Sequence, residues 1–188
     1  MGILSKMLGL ERKKEKPYID GGVTLIHKLT ATLSLPDWKD LVPTYTEEEV
    51  EAINRSWSNF QKTANQAVGG DAKFHPDAAP IIQRTLAAEA LAELAEHTWK
   101  YSDELPTDWR HCVSTYLKAW AAHFSPLTLL DLGDLLVKAG YRTEAKGVFQ
   151  VLLLFPTYAD TYYAGHQNLL ELVQNITDSA KERLRELG

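Results

Sequence analysis

The stretch "LGDLLVKAGYRTEAKGVFQVLLLFP", residues 132–156, decides the fold of this chain. Gly133, Gly140, Ala145, Phe149 and Pro156 punctuate sequence that otherwise reads as helix. Gly140 stands between two helix-patterned runs, where a residue free to turn left-handed ends one helix and lets the next begin. Gly133 and Ala145 are small, so the two helices can approach closely. Phe149 has the bulk to fill the groove toward a following helix. Pro156 stops the second helix, because its ring cannot continue the hydrogen-bond ladder. Ser125 followed by Pro126 reads as an N-cap with proline at the first helical position.

Working outward, the same grammar recurs. Thr46 and Glu49 have the spacing of a capping box. Val50, Ile53, Trp57, Phe60, Ala64 and Ala67 follow on one helical face, and Gly69-Gly70 end it. "GGDAKFHPD" is a loop, and an alanine-rich helix runs from about Ala78 to Tyr101. Thr107 or Asp108 caps a helix whose face is Trp109, Val113, Tyr116, Leu117, Trp120 and Phe124. Two further helices are predicted at about 158–176 and 178–187, the last with Ile176, Ala180, Leu184 and Leu187 in its stripe. Near the start, "PYIDGG" (17–22) reads as a breaker. Residues 23–35 fit either a strand-like alternation or a helical stripe of Leu25, Leu29 and Leu33; thirteen residues without a second strand favour helix. No segment needs a sheet, and short connections make consecutive helices antiparallel neighbours. The expected fold is all-α. It divides into an amphipathic, basic segment 1–16, a helical region 17–77 and a hairpin region 78–188.

Placing Pro126 at position 1 puts Leu129 at 4, Leu132 at 7, Gly133 at 8, Gly140 at 15, Ala145 at 20, Phe149 at 24 and Pro156 at 31. This resembles the tetratricopeptide repeat, a helical hairpin of about 34 residues. Tyr162 lies 33 residues after Leu129, and Gly165-His166 stand where Leu-Gly would. "YADTYYAGHQNLL" (158–170) then reads as the first helix of a second unit, with His166 replacing the small residue. "TDSAKERLREL" (177–187) reads as its polar, capping partner. The resemblance covers Ser125–Leu172, a quarter of the chain. It is also similar to the central repeats of the small acidic tetratricopeptide chaperones of type III secretion, which lack a long N-terminal extension.

The resemblance implies antiparallel helical hairpins in a tetratricopeptide-like α-solenoid, with a compact helical bundle as the other arrangement of the same helices. It implies a non-enzymatic adaptor or chaperone that binds a protein or peptide on its concave face. That face would carry Leu127, Leu130, Asp134, Val137 and Lys138 of the first unit and Asp160, Tyr163, Gln167, Leu170 and Glu171 of the second. Members that grip a C-terminal carboxylate use Lys and Asn there. Lys138 alone is of that kind, so an extended or helical segment with apolar anchors is the expected ligand. A second reading is a structural subunit of a larger, membrane-associated assembly, with Trp-rich faces forming homo-oligomer contacts.

Charge narrows the partner. Residues 1–16 hold five basic and two acidic side chains, a net of +3, so with −5 on the whole chain residues 17–188 carry −8. An acidic body argues against nucleic acid, which needs a basic surface to displace counterions. Ile3, Leu4, Met7, Leu8 and Leu10 beside a basic flank allow a terminal helix or a weak contact with an anionic membrane surface. No apolar run is long enough to span a bilayer. The expected location is cytoplasmic, either free or peripheral at the inner face of the membrane. No cofactor is called for. Glu93 and His97 lie one turn apart and Glu89 extends their row, but H-E-x-x-H is absent and nothing fixes a third ligand, and Cys112 beside His111 is not preset for proton transfer. His111 and His123 do not converge on their helix. The five tryptophans, at 38, 57, 99, 109 and 120, read as core or groove walls.

Overall fold

The computed structural model describes residues 16–36, 40, 44–123, 125–156 and 167–188. Among these residues there are seven long helices and no strand, so the fold is all-helical. They are α1 (Lys16–Thr32), α2 (Glu47–Val68), α3 (Ala79–Trp99), α4 (Trp109–Ala122), α5 (Pro126–Lys138), α6 (Arg142–Leu152) and α7 (Gln167–Glu186).

The α5–α6 hairpin forms where the spacing predicts it. Ser125 is an extended N-cap, and Pro126 opens α5. Gly140 has φ of 83°, and the Gly140 and Tyr141 N–H groups close on the Val137 and Leu136 carbonyls at 3.0 and 2.9 Å. A Cβ on Gly133 would stand 2.6 Å from Cζ of Phe149, so the ring lies directly on the glycine. Phe149 therefore locks the hairpin itself, and Ala145 is fully buried beside it. The capping box also forms: Thr46 N–H donates to Glu49 Oε2 at 2.8 Å, and Glu49 N–H donates to Thr46 Oγ1 at 3.2 Å. Gly69, at φ 68°, ends α2.

Two expectations are corrected. Residues 17–22 do not break the chain, because α1 runs through them from Lys16. Pro17 sits in the first turn, where its missing N–H is not needed. Gly22 is there for packing: a Cβ on it would meet Cζ2 of Trp120 at 2.6 Å. At the other end, α7 is one helix from Gln167 to Glu186, with no break between 176 and 178. Nothing in that stretch stops a helix. Thr177 turns its hydroxyl back to the Val173 carbonyl at 2.7 Å, and Asp178 accepts from Gln174 at 3.0 Å and from Lys181 at 2.7 Å, one turn before and after. "TDSAKERLREL" is thus the second half of α7 and not a separate partner helix.

From α2 to α7 each helix packs against the next. Helix α4 is the centre, buried on all sides from Cys112 to Trp120. Its Tyr116 hydroxyl accepts from the Trp99 indole at 2.8 Å, tying α4 to α3. Helix α1 departs from chain order. With the turn that follows it, α1 lays Leu25, Ile26, Leu29 and Leu33 into the same core as α4 to α7, with Gly22 at Trp120 of α4 and Leu25 at Gly147 of α6.

Candidate functional site

The expected partner-binding residues are placed as follows. Leu127 is 48% exposed, whereas Leu130 and Val137 pack against the core. Asp134 accepts from Arg183 Nε of α7 at 2.8 Å. Lys138 donates to the Trp99 carbonyl at 3.2 Å and to the Ser102 carbonyl, with its ammonium 5.8 Å from the Trp99 ring centre. Gln167 and Glu171 are exposed and bond to each other at 3.1 Å. Leu170 packs against the core. Asp160 and Tyr163 lie outside the described residues, as do Tyr162, Gly165, His166, Trp38, Phe124 and the segment 1–15.

Among the described residues of this set, Leu127, Gln167 and Glu171 are exposed, whereas Asp134 and Lys138 are engaged by neighbouring helices. Asp134 and Lys138 stitch α5 to α7 and to the end of α3. Lys100 adds to the seam, bonding Glu96 Oε1 at 2.6 Å and Asp131 Oδ1 at 3.2 Å. Burial raises the Asp131 carboxyl above its ordinary range; Lys100 opposes the rise, and Glu96 and Asp134 add to it.

The open apolar surface lies elsewhere, between α2, the first half of α3 and the end of α4. Helix α2 has a strong apolar stripe, yet Glu49 is its one buried residue. Ile53, Trp57 and Phe60 are only half-covered. Phe60 and Phe74 steady Trp57, with ring centres 5.8 and 6.2 Å from it. Ile53, Trp57, Pro80, Ala87, Ala121 and Ala122 then face one another across a groove of about 630 Å³, with Tyr45, Asn54, Gln83 and Arg84 completing its walls. The alanines keep the groove open, because larger side chains there would fill it. Sequence reading missed it because its walls come from three separated segments. The available signal was an amphipathic α2 facing an α3 so rich in alanine that it has little bulk to cover it.

A buried charge cluster holds one end of the groove. Glu49 is fully buried and Lys118 is 4% exposed. Lys118 Nζ donates to Glu49 Oε2 at 2.6 Å, and Thr115 Oγ1 donates to Oε1 at 2.8 Å. Burial alone would raise the Glu49 carboxyl. The bonds from Lys118, Thr46 and Thr115, with the Lys118 charge, outweigh it and hold the carboxyl below its ordinary value. The Tyr45 ring centre is 5.7 Å from the Lys118 ammonium, and Tyr45 itself opens into the groove. Burial, then the neighbouring Glu49, raises the Tyr45 hydroxyl. Beside this cluster Thr46, Glu47, Glu48, Glu51 and His111 line a shallow acidic concavity.

Other chemistry finds less support. His97 and Glu93 approach to 3.6 Å on an exposed face, and no group of three metal-ligating side chains occurs among the described residues. Cys112 is buried, and burial, aided by Asp108, pushes its thiol up to about 11, far from a ready thiolate. Trp99, Trp109 and Trp120 are core residues, and Trp57 is a groove wall. Among the described residues no helix is long and apolar enough to cross a membrane. No family model matches the chain, and neither a curated protein nor a solved structure matches it.

Proposed function

We propose that this protein is a non-enzymatic binding module that holds an amphipathic segment of a protein partner in the groove between α2, α3 and α4. The observation that carries this reading is the half-covered apolar stripe of α2 facing the alanines of α3 and α4. An apolar cleft with a few polar groups at its edge suits a helix presenting anchors one turn apart. Asn54, Gln83 and Arg84 would set the orientation of such a segment. The tetratricopeptide-like reading belongs to the same proposal, with the α5–α6 hairpin as the repeat unit and α7 as its cap. The internal engagement of Asp134 and Lys138 moves the proposed seat away from α5 and α7. A buried thiol at Cys112, the chain's single cysteine, supports a reducing, cytoplasmic setting.

Selection from a displayed library of amphipathic peptides tests this. Selected peptides are expected to carry apolar anchors at helical spacing. They should bind Ile53→Glu and Ala87→Glu at least about tenfold more weakly than wild type, because each variant puts a carboxylate in the apolar cleft. Far-UV circular dichroism should stay unchanged, since both positions are only half-buried. Selected peptides that bind both variants as tightly as wild type would overturn the proposal.

A further inference from the structure

We infer that the groove selects its partner helix by a side-chain carboxylate: the segment it holds carries a Glu or Asp one turn from its apolar anchors, and that carboxylate pairs with Arg84. This rests on reading the groove as a seat for an amphipathic segment of another protein, and adds what that segment must carry.

The state of Arg84 supplies the first argument. It is half-buried, and among the described residues it is the one charged side chain lining the groove. Among those residues no carboxylate lies within ion-pair distance of it, and it stacks on no aromatic ring. Its own helix has no counter-charge to give. Pro80, Ile81, Ala87 and Ala88 stand three and four residues away on either side, and all are apolar. Glu89, the next carboxylate along α3, is five residues on and so about 140° round the helix. Helix α4 contains no Asp or Glu. Helix α2 brings Ile53, Asn54 and Trp57 to the groove, and its buried Glu49 is already committed to Lys118 and Thr115. The Arg84 charge is felt beside the groove, at His123, which follows Ala122. Burial lowers the His123 imidazole; Glu89 opposes this, and Arg84 adds to it.

Closure of the groove supplies the second argument. A purely apolar helix laid on Ile53, Trp57 and Ala87 would take the Arg84 guanidinium out of water with nothing to pair it. A desolvated, unpaired cation is costly. A carboxylate removes that cost, because it accepts two parallel N–H bonds from the planar guanidinium. Asn54 and Gln83 are neutral and cannot supply the missing charge. Residues 17–188 carry −8, so an acidic partner gains no long-range attraction. Selection therefore arises on contact, as faster dissociation of helices that lack the carboxylate.

The test uses the full chain and C-terminally amidated peptides selected on it from the amphipathic library, so that any carboxylate belongs to a side chain. The selected peptides are expected to share an acidic position one turn from their anchors. Changing that Glu to Gln in the peptide should weaken binding to wild type at least about tenfold in fluorescence anisotropy, and the Glu and Gln peptides should bind Arg84→Met about equally. On Arg84→Glu a Lys peptide should bind more tightly than the Glu peptide. Equal affinity of the Glu and Gln peptides for wild type would overturn the inference without any protein variant. So would the same preference for Glu persisting on Arg84→Met, since the carboxylate would then pair elsewhere. A wild-type dimer that Ile53→Glu abolishes would also overturn it, by making a second copy the occupant. Peptides that ignore the acidic position but are still weakened by Ile53→Glu would reject the role of Arg84 and leave the groove reading standing.

Discussion

Replacing Glu49 with Gln isolates what the buried charge contributes. Gln at this position can still complete a capping box, so the start of α2 keeps its local hydrogen bonds. What disappears is the counter-charge of Lys118, which is 4% exposed and has its ammonium 2.6 Å from Glu49 Oε2. Stranding a buried charge costs about 3–5 kcal/mol. With a urea m-value of about 2 kcal/mol/M for a chain of this size, the unfolding midpoint should fall by roughly 1.5–2.5 M at unchanged slope. Lys118→Met strands Glu49 instead, though Thr115 and the Thr46 N–H still bond to it. The double variant removes both charges and should recover most of the loss, giving a coupling of more than about 2 kcal/mol. The pH dependence has a definite sign. Because the folded carboxyl is held below its ordinary 4.5, its contribution is complete above that value and drains away as pH falls through the lowered folded value. The gap between wild type and Glu49→Gln should therefore narrow in acid. Single variants costing under about 1 kcal/mol each, and adding without coupling, would refute the reasoning, since that is how an exposed ion pair behaves.

Two further outcomes follow from other contacts. Gly133→Ala should destabilise the protein by about 1–3 kcal/mol in urea unfolding despite alanine's better helix propensity, because its Cβ enters the Phe149 ring. Adding Phe149→Leu should recover part of that loss, and a neutral Gly133→Ala would contradict the packing. Asp131→Asn should show the opposite pH trend to Glu49→Gln. The Asp131 carboxyl is raised on folding, so ionising it weakens the fold, and the Asn variant should gain on wild type as pH rises through the raised value. Paired urea titrations across acid to neutral pH measure this, and a difference that does not change with pH would contradict it.

Legibility in the sequence tracked how local the cause was. The α5–α6 hairpin could be read because Gly133, Gly140 and Phe149 act within one short stretch. The capping box could be read because Thr46 and Glu49 lie one turn apart. The second role of Glu49 could not, because Thr115 and Lys118 are 66 and 69 residues away. Gly21-Gly22 reads locally as a break, since glycine weakens a helix interior. What overrides that is Trp120, nearly a hundred residues later. The phase of Tyr162 suggested a second hairpin, but the chain from Gln167 onward carries no stop signal and simply continues. The groove has no sequence motif at all, because it is a gap that alanines on α3 and α4 leave beside α2.

The position of α1 has a consequence for biosynthesis. Its four-residue apolar stripe docks on partners as distant as Gly147. At about 5–20 residues per second on the ribosome, those partners emerge roughly 6–24 seconds after Leu25. Through that interval Leu25, Ile26, Leu29 and Leu33 have no native α6 to cover them. Helices α2 to α5 can pair with their neighbours as they appear, but α1, made before all of them, is among the last of the described helices to be buried. Aggregation and chaperone dependence during synthesis should therefore be governed by that stripe, and much less by the helices that fold in sequence order.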